Sequence, residues 1–240
     1  MLGEAGSGKT SLLEVASVTA SDEGWNVLRL EGRRSDVALP LIGLHDLLRA
    51  ADALSATAPA ARDAADVLQV LVRDGGSREE QSPLRIRLDV LTWLQEVAEL
   101  GPLLVVVDDL QWVDSTTRAV LAFVAHRARG TGASLLLAAR GSAPKDDALD
   151  LPTIALRGLT DDEAAAVLGD AGLTLTKYDS TTVVSRAAGN PLALLEFGRA
   201  VQDSNAVFSD EIDIPARLQR TFSAEPVSYT HLTLPTILRV

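Results

Sequence analysis

The chain has 240 residues, a formal net charge of −11, 47% hydrophobic residues and no cysteine. This apolar content is sufficient for a sizeable core, and the lack of cysteine excludes disulfides and zinc–thiolate sites. The acidic balance argues against a segment that grips nucleic acid by neutralising its phosphates. Because the apolar runs are too short to cross a bilayer, we expect no membrane partner and a cytoplasmic location.

The strongest motif lies in the first ten residues, where Gly3 to Thr10 fit the phosphate-loop pattern GxxxxGK(S/T). Glycines let such a loop curl so that backbone N–H groups point at phosphate oxygens, beside the positive end of a helix. The spacing predicts that Lys9 reaches the β- and γ-phosphates and that the Thr10 hydroxyl binds Mg²⁺. A glycine-rich turn that only precedes a helix is the alternative. The expected nucleotide-binding residues here are Gly3, Gly6, Ser7, Gly8, Lys9, Thr10 and Ser11.

Strands and helices alternate through the next part of the chain. The pattern predicts strands at residues 26–31, 103–107, 134–139 and 153–156. It predicts helices directly after the loop and at residues 42–54, 60–72, 83–100 and 116–129, the last of them capped by Asp114 and Ser115. For the helix after the loop we expect an apolar face of Leu12, Leu13, Val15, Ala16 and Val18. For the helix at residues 83–100 we expect a core face of Leu84, Leu88, Leu91, Leu94 and Val97.

A second strong signal is the continuous apolar strand at residues 103–107, which ends in Asp108 and Asp109. Ligands of α/β sheets bind at the carboxyl ends of such strands. We therefore expect Asp108 to hold the Mg²⁺ shell and Asp109 to orient or activate the water that attacks the γ-phosphate; a solvated acidic turn is the alternative. Arg140 ends the next strand on the same edge, where it could sense the γ-phosphate or form a surface ion pair.

The pattern changes near Gly158 from alternating strands and helices to helices alone, at residues 161–169, 179–188 and 191–201. We therefore expect an α/β fold, a P-loop NTPase three-layer sandwich with a parallel sheet, over residues 1–157. A small helical lid is expected to follow over residues 158–226.

With these residues in place, the chain resembles the ATPase module of large LuxR-type transcriptional regulators, in the STAND branch of AAA-like ATPases. The resemblance rests on segments spread in order along the chain, at residues 3–13, 37–48, 103–114, 135–140, 156–165 and 189–196. It implies a switch that binds ATP or ADP with Mg²⁺, hydrolyses ATP slowly and self-associates in the ATP state. DNA would be contacted only through a C-terminal domain that is not among these residues.

The resemblance also implies roles for single residues. Lys9 and Thr10 match the family's Walker A pair, and Asp108 and Asp109 match its Walker B pair. Arg140 matches the sensor arginine, and Pro191 matches the lid proline. In related folds the first strand lies centrally, beside the Walker B strand, whereas here only Met1 and Leu2 precede the loop. We therefore expect a truncated first strand, with poor folding or weak ATP binding as the result.

Residues 227–240 resemble translated sequencing-adapter read-through, and we expect them to form a non-native tail. Two other functions stay open at this point. One is an active AAA motor or loader, which the acidic balance disfavours where the track is DNA. The other is an interaction module with a vestigial nucleotide pocket, which the chemically intact Lys9, Asp108 and Arg140 disfavour.

Overall fold

The computed structural model describes residues 1–55, 83–141 and 151–204. The chain divides into two compact units, Met1–Arg157 and Gly158–Val240. The helix expected at residues 60–72 and the tail expected from Val227 lie outside the described residues.

The first unit is built on parallel strands. Their bounds are β1 Leu2–Gly3, β2 Asn26–Glu31, β3 Leu103–Asp108, β4 Ala133–Leu137 and β5 Ala139–Arg140. The strand β3 pairs with β2 on one side and with β4 on the other, in parallel register, while β1 pairs with β5. The strand expected at residues 134–139 is therefore split at Ala138, whose N–H still donates to the Val107 carbonyl at 2.8 Å. Parallel pairing is confirmed throughout these described strands.

The position of β1 differs from the expectation that it lies beside β3, the Walker B strand. β4 already pairs with that edge of β3, so β1 pairs with β5 instead. The Met1 amine donates to the Leu137 carbonyl at 2.7 Å, and the Ala139 N–H donates to the Met1 carbonyl at 3.0 Å. On the other side of β1, the Leu2 N–H donates to the Ile154 carbonyl at 2.8 Å, and Leu2 forms a parallel bridge with Ala155. The strand expected at residues 153–156 is thus a single bridge beside β1.

Helices cover both faces of this sheet. They are α1 Lys9–Asp22, α2 Ile42–Ser55, α3 Pro83–Glu99 and α4 Ser115–Ala125. On one face, Leu13 of α1 packs with Val106 and Ala138. On the other face, α2, α3 and α4 form one buried cluster with alternate residues of β2 and β3, in which Trp93 is fully buried. The three-layer α/β/α arrangement predicted from the sequence is confirmed.

Two of the predicted helix faces are wrong in part. In α1, Leu12, Val15 and Val18 are exposed, and the buried residues are Lys9, Leu13, Ser17 and Ala20. In α3, Leu84 and Leu88 are exposed, while the buried residues are Ile86, Val90, Trp93, Leu94 and Val97. The apolar positions in these helices outnumber those that one sheet face can cover, so spacing alone does not select the buried ones.

The second unit is helical in its described part. Its helices are α5 Asp161–Asp170, α6 Lys177–Ala187 and α7 Pro191–Ser204. They enclose a separate apolar cluster formed by Ala164, Leu168, Val183, Ala187, Ala193, Leu194 and Val201. None of the helices described in either unit is long and apolar enough to cross a membrane.

The start of α5 provides a test of local stability. The Thr160 side chain accepts from the Glu163 N–H while the Glu163 carboxylate accepts from the Thr160 N–H, which is a complete capping box. We expect Thr160→Ala to destabilise this helix by about 1 kcal/mol. Faster hydrogen exchange of the α5 amides would measure the loss. Thr181→Ala, at an exposed interior position of α6, is the control and should leave α5 exchange unchanged; equal effects would contradict the capping assignment.

Candidate nucleotide-binding site

The loop between β1 and α1 has the backbone shape that phosphate binding needs. Gly6 and Gly8 have φ angles of 77° and 89°, which favour glycine, and Gly8 is the N-cap of α1. The loop is also tightly closed, because a Cβ atom added to Gly3 would lie 2.5 Å from the Ser7 hydroxyl oxygen. A closed glycine loop at a helix N-terminus presents backbone N–H groups to an anion.

The side chain of Lys9 lies inside this loop and is only 7% exposed. Its ammonium donates to the carbonyls of Gly3 at 2.8 Å and Glu4 at 2.7 Å. Burial lowers the pKa of Lys9, and Arg140 lowers this pKa further, while nearby carboxylates, Asp109 first, raise it. A bound triphosphate would add negative charge at this point and so favour the charged form of the lysine.

The two sequence motifs meet at Thr10 and Asp108. The Thr10 hydroxyl donates to the Asp108 carboxylate at 2.6 Å, and the other carboxylate oxygen accepts from the Asp109 N–H at 2.8 Å. A hydroxyl and a carboxylate side by side are hard oxygen ligands of the kind that Mg²⁺ prefers. These residues therefore fit a magnesium ion, which would neutralise phosphate charge there.

The Asp109 side chain points to a different set of partners. Asp109 has a left-handed backbone conformation, with φ 48°, directly after β3. Its Oδ1 accepts from the Gln111 side-chain amide at 2.7 Å and lies 3.7 Å from the Arg140 guanidinium. The Gln111 side-chain oxygen in turn accepts from the Arg140 N–H at 3.0 Å. Gln111 thus joins the acidic pair to the end of β5, a role that the sequence analysis missed.

Asp114 is a second residue whose full role the sequence did not indicate. It caps α4 as expected, accepting from the Thr117 N–H at 2.9 Å, but it is also 1% exposed. Its carboxylate accepts from the N–H groups of Leu41 at 3.0 Å and Gly43 at 3.1 Å, at the start of α2. Leu41 has a φ angle of 65°, which is uncommon for leucine. The buried carboxylate therefore fixes α2 to the segment that follows the acidic pair.

The structure brings most of the predicted site residues together. The charge of Lys9 interacts with the charges of Asp108, Asp109 and Arg140. Ser11 lies on the exposed side of the first turn of α1. Pro191 is the first residue of α7 in the second unit, and its contact with nucleotide stays a prediction.

A phosphate loop between a parallel strand and a helix, with a strand-end carboxylate bonded to its threonine, defines a P-loop nucleoside triphosphatase. The model of the AAA ATPase domain family matches residues 1–138. Because this match covers more than half of the chain, the protein belongs to that family, and it is a P-loop ATPase module. The family generally binds ATP and Mg²⁺.

Among solved structures, the chain is similar to a Walker-type ATPase of Pyrococcus abyssi, with 16% sequence identity and a TM-score of 0.49. The similarity covers 93% of this chain and 65% of that one, so the chain spans just under two thirds of that protein's length. No curated protein matches the chain.

Proposed function

We propose that this chain is a switch that binds ATP and ADP with Mg²⁺ and hydrolyses ATP slowly, as the ATPase module of a LuxR-type transcriptional regulator. The observation that supports a working nucleotide site is the 2.6 Å hydrogen bond between Thr10 and Asp108, which joins two motifs 98 residues apart. A vestigial pocket would have no need to keep both groups in bonding distance.

In this proposal the loop N–H groups and Lys9 hold the phosphates, and Thr10 and Asp108 hold the magnesium ion. Lys9 supplies positive charge where negative charge develops on the phosphoryl oxygens during transfer. Arg140 acts as the sensor of the γ-phosphate. By family resemblance, Pro191 is expected to contact the nucleotide.

The contact between Arg140 and Asp109 supports a switch. Their ion pair is 3.7 Å long, and the two side chains are 26% and 29% exposed. A γ-phosphate would compete with Asp109 for the guanidinium, because both are anions that arginine binds. ADP lacks that group and would leave the pair as it is, so the two nucleotides would favour different arrangements of the β3 and β5 ends.

Self-association of the ATP form, DNA contact through a C-terminal domain and a cytoplasmic location complete the proposal by family resemblance.

The direct test combines calorimetric titration with MgATP and MgADP, phosphate release, and sedimentation in ADP or a non-hydrolysable ATP analogue. We expect binding of both nucleotides, turnover far below the ~10 s⁻¹ of a typical enzyme, and a larger particle with the ATP analogue. Turnover at or above that rate would indicate a motor, and no binding would indicate an interaction module.

A further inference from the structure

Gln111 joins two of the charged residues of the proposed site, Asp109 and Arg140. Its side-chain amide donates to Asp109 Oδ1 at 2.7 Å, and its side-chain oxygen accepts from the Arg140 backbone N–H at 3.0 Å. The reverse orientation of the amide would set an oxygen against a carboxylate and an NH₂ group against an N–H. Gln111 is therefore fixed in a single orientation by its two partners.

The turn that carries Gln111 is anchored to the sheet. Leu110, the residue before it, is buried and donates its N–H to the Ala138 carbonyl at 2.9 Å. The Trp112 N–H donates to the Asp109 carbonyl at 2.8 Å, which closes a single 3₁₀ turn. Backbone bonds thus set the place of this turn at the strand ends, and its side chain can position a neighbour.

The carboxylate that Gln111 contacts is the one that faces the phosphate-binding lysine. Among the carboxylates that raise the pKa of Lys9, Asp109 has the largest effect. The Asp108 carboxylate is already bonded to Thr10, in the pair proposed to hold magnesium. Asp109 is therefore the acidic group that remains to orient the attacking water, as its position after β3 predicts.

The two contacts of the Asp109 carboxylate differ in how a γ-phosphate would affect them. The Arg140 guanidinium, 3.7 Å from Oδ1, is a charged group that phosphate attracts strongly. The Gln111 amide is neutral and its oxygen is fixed to the β5 backbone, so its bond is the one that can persist. Both contacts use Oδ1, and Oδ2 is the oxygen that can accept from a water molecule.

We propose that Gln111 is a positioning residue for ATP hydrolysis, which keeps Asp109 directed at the attacking water when Arg140 turns to the γ-phosphate. The inference rests on the proposed ATPase function, with Asp109 as the water-orienting group. Gln111 itself touches neither the nucleotide nor the water. Its loss slows hydrolysis and leaves nucleotide binding intact, because the loop and the pair of Thr10 and Asp108 are held by other bonds.

The first test compares Gln111→Ala with Gln202→Ala. Gln202 lies on α7 and its side-chain oxygen also accepts a backbone N–H, that of Thr174 at 3.1 Å, so the control removes a similar bond outside the site. We expect Gln111→Ala to slow hydrolysis by about 10- to 100-fold, since a small misplacement of a reacting group costs up to about 100-fold. MgATP and MgADP affinities should stay within about twofold of the wild type. Single-turnover assays with labelled ATP and calorimetry measure these quantities, and Gln202→Ala should change none of them.

A second variant separates positioning of Asp109 from a merely structural link to β5. Gln111→Glu keeps an oxygen for the Arg140 N–H but replaces the donor to Asp109 with a like charge. We expect hydrolysis as slow as in Gln111→Ala. Hydrolysis at the wild-type rate would show that only the link to β5 matters, and would overturn the proposal. Thermal unfolding of both variants sets an assay temperature at which they are folded.

A double-mutant cycle tests whether Gln111 acts through Asp109. Asp109→Asn should slow hydrolysis by about 100-fold or more, and adding Gln111→Ala should then change the rate by less than about threefold. Effects that multiply would overturn the proposal, as would a rate in Gln111→Ala alone that is faster than, or within about threefold of, the wild-type rate. A wild-type protein that neither binds nor hydrolyses MgATP would instead refute the proposed function itself.

Discussion

Replacing Lys9 with methionine is expected to abolish measurable binding of MgATP and MgADP. The change keeps the buried stem but removes an ammonium that reaches the loop interior, where it bonds Gly3 and Glu4. A hydrogen bond to a charged group contributes about 1.5–3 kcal/mol. Two such bonds to phosphate oxygens correspond to a loss of affinity on the order of 100-fold or more. Calorimetric titration with each nucleotide measures this loss of affinity.

Lys177→Met is the matched control, because Lys177 is exposed at the start of α6. It should leave both affinities unchanged. If the Lys9 variant bound nucleotide as tightly as the wild type, the ammonium would have no part in binding. The proposal of a phosphate loop would then fail, and the interaction-module alternative would gain support.

Asp114→Ala is expected to be the most damaging single substitution for the first unit, by about 3–5 kcal/mol of unfolding free energy. The carboxylate is 1% exposed and accepts three backbone N–H groups, those of Leu41, Gly43 and Thr117. Alanine would leave these donors buried without a partner, each at a cost of about 1–3 kcal/mol before relaxation. Urea unfolding followed by tryptophan fluorescence measures the change.

Asp22→Ala provides the control, because Asp22 is exposed at the C-terminal end of α1 and should change stability by less than about 0.5 kcal/mol. Asp114→Asn keeps one acceptor oxygen and should fall between the two. Equal stabilities of the Asp114→Ala and Asp22→Ala variants would mean that α2 does not depend on the buried carboxylate.

Much of the fold could be predicted because single residues signal it locally. The apolar run before Asp108 indicates a strand buried on both faces, and the structure has β3 at Leu103–Asp108. Pro83 marks a helix start, and α3 begins there. The position of β1 could not be predicted in this way, because strand order depends on which backbone groups meet in three dimensions.

The same distinction between local signals and three-dimensional contacts applies to the site residues. Lys9, Thr10 and Asp108 were predicted because phosphate and magnesium chemistry needs those groups at a short spacing or at a strand end. Gln111 was not predicted, because its importance comes from neighbours in other strands and loops.

The bonds that Lys9 makes to its own loop affect how tightly any nucleotide is held. The ammonium and the Thr10 hydroxyl both have protein partners already, at Gly3, Glu4 and Asp108. Entry of a triphosphate is therefore an exchange, in which the loop's own carbonyls act as an internal competitor. The apparent association constant is the intrinsic one multiplied by the fraction of molecules in which Lys9 and Thr10 are released from these partners. A moderated affinity of this kind would let one nucleotide replace another without help, as the proposed switch requires.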